Sequence, residues 1–225
     1  VSKGVLGVGC SFTWGEGLYF YSELDNLPFK KNHEFINSEV TQAMRSYKDR
    51  YRYLKLVSDE LDTWYHSGAK NGGSQWLSNE YLKGGLFEDG YSYTDFKLLI
   101  YQFTHHERNF DRYETLDNQI IETDKILKKI ENTGVKVITM CWDYQIPMFS
   151  EVYKKLFKHR HFDITYDGET RPYFHFLTQN DEYNLSIRSD FYKKGYQKND
   201  EHWNKKGHKV ISDLIINKLK KDNFI

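Results

Sequence analysis

The sequence predicts an α/β protein, a three-layer α/β/α sandwich around a central, mostly parallel sheet. Three observations carry this reading. Three short apolar runs, Gly4 to Cys10, Phe96 to Phe103 and Val135 to Cys141, have the length and composition of buried strands. Amphipathic helical patterns lie between and after them. Each strand run also ends in a loop rich in residues able to do chemistry, and open parallel sheets place their sites at those ends.

The elements follow in chain order. Gly4 to Cys10 is small and apolar, and the loop Ser11-Phe12-Thr13-Trp14-Gly15-Glu16-Gly17 follows it directly. The stretch 21–49 is polar without a clear period and reads as an insertion. From Tyr51 to Leu61, Tyr51, Leu54, Val57, Ser58 and Leu61 share one helical face. Ala69-Lys70-Asn71-Gly72-Gly73-Ser74-Gln75 is a glycine turn. The run Phe96 to Phe103 leads into Thr104-His105-His106-Glu107-Arg108. A helix from Leu116 to Asn132 carries Ile120, Ile121, Ile126, Leu127 and Ile130, and Gly134 ends it before the third strand. Trp142 to Asn199 is irregular and aromatic, with a second insertion near 158–198. Lys205 to Lys221 is helical, with Val210, Ile211, Leu214, Ile215 and Leu219 on one side. With no internal repeat and no low-complexity linker, the 225 residues read as a single domain, 1–225.

Composition narrows the function classes. Lys+Arg and Asp+Glu both number 32, so no net charge argues for nucleic acid or an anionic membrane as partner. Aromatic residues make up 17% of the chain, which excludes the disordered class. The two cysteines, Cys10 and Cys141, sit at strand ends and are expected to be buried free thiols. No apolar run reaches the length of a membrane span, and no signal-peptide pattern is visible, so the expectation is cytoplasmic. A protein packaged in a virion would present the same sequence.

The chemistry concentrates at the two ends. Ser11 stands at the tip of the first strand, the exposed position that a nucleophilic serine needs, with backbone N–H groups at hand for an oxyanion. At the far end lies Asp200-Glu201-His202-Trp203-Asn204-Lys205-Lys206-Gly207-His208. A carboxylate two residues before a histidine can orient its ring and stabilise its cation. Asn204 or Asp200 could also cap the last helix. A glycine- and hydroxyl-rich loop after a first strand serves equally well to hold a phosphate, as in flavodoxin-like proteins, where Ser11, Thr13 and Gly15 would do so.

Taken together, the two ends resemble a known family. Gly9-Cys10-Ser11-Phe12-Thr13-Trp14-Gly15 resembles the first sequence block of the SGNH (GDSL-type) serine hydrolases. Asp200-x-His202-x-Asn204-x-x-Gly207-His208 resembles the last. The resemblance implies an SGNH hydrolase-like fold and esterase activity without cofactor or metal. Ser11 is then the nucleophile, His202 the general base and Asp200 its orienting carboxylate. The Ser11 N–H and those of Gly72 and Gly73 would form the oxyanion hole. The implied substrate is a small-molecule or carbohydrate ester, such as an O-acyl sugar.

Two departures qualify the match. The family's Asp commonly lies three residues before its His, and Asn199 holds that position here. The third block's oxyanion Asn is missing too, and Thr104, His105 or His106 would have to donate instead. Removing one such donor costs about 10²- to 10³-fold in rate. Arg108 would bind a substrate anion or pair with Glu107 or Asp111. Adjacent histidines on a strand face opposite ways, so His105-His106-Glu107 is not expected to hold a metal. Two other classes remain open: a degenerate domain kept for binding or as a virion component, and the flavodoxin-like phosphate or flavin binder.

Overall fold

The computed structural model describes residues 2–15, 18, 42–70, 73–104, 116–141, 160–162, 177, 183 and 202–225. Its core is a five-stranded sheet built from β1 (Gly4–Val8), β2 (Tyr65–Ser67), β3 (Phe96–Phe103), β4 (Lys136–Cys141) and β5 (His161–Phe162). The spatial order is β2-β1-β3-β4-β5, and every neighbouring pair is parallel. The helices are α1 (Ser11–Trp14), α2 (Gln42–Tyr51), α3 (Tyr53–Glu60), α4 (Gln75–Glu80), α5 (Leu86–Glu88), α6 (Leu116–Glu131) and α7 (Lys205–Lys221). A π-helical turn, Tyr81–Gly85, joins α4 to α5.

Parallel strands joined by crossover helices are covered on both faces, so their sequences are apolar throughout. Alternation along each strand sorts those residues into two cores. Val5, Leu98, Ile100, Ile138 and Met140 pack beneath α3 and α7, against Leu54, Val57, Ile211, Ile215 and Leu219. Leu6, Val8, Leu99, Tyr101, Phe103 and Val137 pack on the opposite side, against Leu82, Leu86, Ile120, Leu127 and Ile130. The result is the expected three-layer sandwich.

Several boundaries differ from the sequence reading. The first strand stops at Val8, because Gly9 and Cys10 already turn toward α1. The single helix expected over Tyr51 to Leu61 is broken at Arg52, whose extended backbone (φ −68°, ψ 144°) separates α2 from α3. The stretch 21–49, read as an insertion, holds most of α2. Strands β2 and β5 have three and two residues, too few to display a period. β5 lies inside the segment read as the second insertion, and buried Arg160 beside it pairs with Asp124 Oδ1 at 2.8 Å and with Glu131, both on α6. Among the described residues no helix is long and apolar enough to cross a membrane, and no group of three His, Cys, Asp or Glu is placed to hold a metal ion.

This strand order positions the site. From β1 the chain crosses to β2 on one side and then returns to β3 on the other. The winding thus reverses between β1 and β3, and the carboxyl ends of strands at such a point are where open parallel sheets place their sites.

Candidate active site

Ser11 begins α1, three residues past the end of β1, and is buried. The approach to it is tight. A Cβ on Gly9 would stand 2.6 Å from Thr13 Oγ1 and 2.8 Å from Gln102 Cβ, so only glycine lets the turn settle onto β3.

Thr13 fastens that turn from below. Its N–H donates to Gln102 Oε1 at 3.1 Å, and its hydroxyl donates to the same oxygen. A hydroxyl has one proton, so Thr13 Oγ1 in turn accepts from the Tyr53 O–H at 2.9 Å. Burial pushes the Tyr53 phenol far above its ordinary value, which keeps it a donor.

His202 arrives from the other end of the chain. Asn204, two residues on, caps α7 by accepting from the N–H groups of Lys206 and Gly207 at 2.9 and 3.0 Å. Trp203 is fully buried, its ring edge-on to Tyr53 at 6.4 Å and to His208 at 5.6 Å. That cap and that indole flank the half-buried His202. Its Nε2 lies 2.7 Å from Ser11 Oγ, although the two residues are 191 apart in sequence.

His208, one turn into α7, is a different kind of histidine. Its Nδ1 accepts the Tyr53 backbone N–H at 3.3 Å, and its ring stacks on that of Tyr53 at 6.0 Å. Burial holds it neutral, pulling its pKa from 6.5 down to about 3, with the charges of Arg52 and His202 adding to the effect.

The glycine turn packs against the serine turn. Lys70 N–H donates to Gly9 O at 3.3 Å, and a Cβ on Gly73 would meet Gly9 O at 2.8 Å. The Gly73 N–H donates to Lys70 O at 2.9 Å, which closes the turn, and the missing side chain allows the close approach. Ser74 then caps α4, accepting from Leu77 N–H at 3.3 Å. Thr104 is fully buried just past β3 and by alternation shares a face with Gln102 and Ile100. Its hydroxyl has no hydrogen-bond partner. Asp200, Gly72, His105, His106 and Arg108 lie outside the described residues.

Sequence reasoning thus named Ser11, His202 and Thr104, and the fold brings the first two into contact. It passed over Gln102 and Tyr53, and gave His208 a place in the last block but no role of its own. Gln102 did leave a signal, as a carboxamide near the end of an otherwise apolar strand run. Tyr53 left none, because a tyrosine on an amphipathic helix reads as core.

No protein-family model matches the sequence, and no curated protein matches it. Solved structures do match. A psychrotrophic esterase, EstA, from a Pseudoalteromonas species, in a structure inhibited by monoethylphosphonate, superposes with a TM-score of 0.56 at 11% identity, covering 100% of both chains. TesA gives a TM-score of 0.56 at 12% identity over 97% of this chain and 99% of its own. At these identities the likeness establishes the fold. The chain shares the three-layer α/β/α fold of these two proteins.

Proposed function

We propose that this protein is a serine-dependent hydrolase of carboxylic esters. The observation that carries the reading is the 2.7 Å contact between His202 Nε2 and Ser11 Oγ at the carboxyl end of β1. A neutral imidazole at that distance is a base within reach of the proton it must remove. Ser11 Oγ attacks the acyl carbon as its proton passes to His202 Nε2. The tetrahedral intermediate collapses, its C–O bond breaks, and the leaving alcohol takes the proton from His202. Water then repeats the sequence on the acyl-enzyme and restores Ser11. Asp200 orients His202 and stabilises its cation. The oxyanion is held by the N–H groups of Ser11 and Gly72 and by the Thr104 hydroxyl. The orphaned state of that hydroxyl supports its assignment, because a buried donor without a partner is costly until something fills it. The alcohol half of the substrate is a carbohydrate in this reading, which the aromatic stretch Tyr166 to Tyr183 supports, with Tyr173, Phe174 and Phe176 in it. His105 and Arg108, next to Thr104 in the chain, contact that substrate.

The test is a fluorophosphonate probe with the adduct mapped by mass spectrometry. Phosphonate inhibition of the EstA neighbour makes a phosphorus electrophile the apt reagent. An adduct on Ser11, absent from Ser11→Ala, is expected. A folded protein that forms no adduct overturns the reading and leaves a degenerate binding domain. Given activity, Thr104→Val is expected to lower kcat by about 10- to 10²-fold with little change in KM, somewhat less than the loss of a main oxyanion donor. Unchanged kcat would remove Thr104 from the oxyanion hole.

A further inference from the structure

We infer that Gln102, Thr13 and Tyr53 form a positioning relay that sets the serine turn in register with the histidine turn. This rests on the ester-hydrolase reading of the same site. The relay is continuous and buried throughout. Gln102 on β3 receives both the N–H and the hydroxyl of Thr13, two residues past Ser11. Thr13 accepts from the phenol of Tyr53 on α3. The Tyr53 backbone N–H donates to His208 on α7, and its ring meets Trp203, the residue after His202. The nucleophile and the base, borne on opposite ends of the chain, are thus tied through one tyrosine.

Gln102 also shows that the relay is not there for stability. Its side chain is fully buried, and its Nε2 has no hydrogen-bond partner. Leaving a buried amide donor unmade costs stability that an apolar side chain of similar shape would not. The bonds of the residue all run through its oxygen: two come from Thr13 and the third from the thiol of Cys10, at 3.8 Å, so they bracket Ser11 on both sides. What the carboxamide gains for the protein is therefore the placement of the serine turn. Misplacement of reacting groups by about 1 Å costs on the order of 10²-fold in rate.

The experiment compares Gln102→Met, which keeps the shape and loses the acceptor, with Tyr53→Phe, Thr13→Val and Thr13→Ser. The first readout is phosphonylation of Ser11 resolved into a maximal rate and a half-saturating probe concentration. Gln102→Met is expected to lower the maximal rate by about 10- to 10²-fold, with half-saturation unchanged and thermal melting close to that of the parent protein. Thr13→Ser, which retains the hydroxyl, restores most of the rate that Thr13→Val loses. The second readout needs no activity. In nitrogen-resolved NMR spectra the His202 ring signal of Gln102→Met is expected to move toward its position in Ser11→Ala. A folded Gln102→Met that labels at the parental rate overturns the relay. Failure of the parent protein to label overturns the hydrolase reading instead, and an unmoved His202 signal would then still overturn the relay.

Discussion

Replacing His202 with alanine is expected to lower kcat toward any ester substrate by about 10⁴- to 10⁶-fold, with KM changed much less. The magnitude follows from how such pairs work. A serine hydroxyl is almost wholly protonated at neutral pH, and only a base held against its oxygen makes it a competent nucleophile. Loss of either member of a serine–histidine pair in a well-studied protease costs nearly as much as loss of the whole set, because the members act as a unit. In the present fold the His202 imidazole stands 2.7 Å from the serine oxygen, beside the helix cap at Asn204 and the buried Trp203. His202→Ala is therefore expected to fold and to melt near the parental temperature. The double variant Ser11→Ala/His202→Ala is expected to be no slower than either single one. Steady-state kinetics on an activated ester checks this, and a decrease under tenfold for His202→Ala would show that some other group removes the proton.

The second large effect is a loss of stability on mild acidification, set by His208. Its ordinary pKa is 6.5, and burial in the native protein lowers it to about 3. Below pH 6.5 the unfolded chain therefore binds a proton at this residue that the native protein refuses. By linkage, the contribution is fully present above about pH 6.5. It is lost as pH falls toward 3, at up to about 1.4 kcal/mol for each pH unit. The native carboxylates with lowered pKa, Asp95, Asp124 and Asp222, add to this only near and below their ordinary value of 3.8. In urea unfolding between pH 7 and pH 4.5, comparison with a variant at this position reads the share of His208. The parent protein is expected to lose stability over that interval, and His208→Gln, which offers Tyr53 N–H an uncharged acceptor, to lose much less. Equal slopes for the two proteins would show that His208 is open to protons in the native state.

The two effects separate two histidines six residues apart. His202 sits half-buried against the Ser11 hydroxyl, where the proposed function needs a base. His208 is walled in by Tyr53 and Trp203, and protonating it opposes folding.

Much of this molecule is written locally. β3, β4, α6 and α7 announce themselves because burial on both sheet faces demands apolar runs and burial of one helix face demands a 3.6-residue period. The cap at Asn204 is likewise local, since a side-chain oxygen there meets the first free N–H groups of the helix that follows. Ser11 and His202 were nominated as partners by the order and spacing of their flanking residues at the two ends of the chain. What those patterns do not contain is geometry. β2 and β5 exist because a neighbour's edge offers hydrogen bonds, which no three-residue sequence records. The turn that the Gly73 N–H closes onto Lys70 is a contact that the glycine pattern does not spell out. Gln102 and Tyr53 acquire their meaning only where β1, β3, α3 and α7 converge. The sequence by itself determined the elements and the reactive residue types, because both follow from forces acting over a few residues. The tertiary structure alone decided which buried polar groups meet, because a hydrogen bond of about 3 Å depends on strand order, crossover and packing summed over the whole chain.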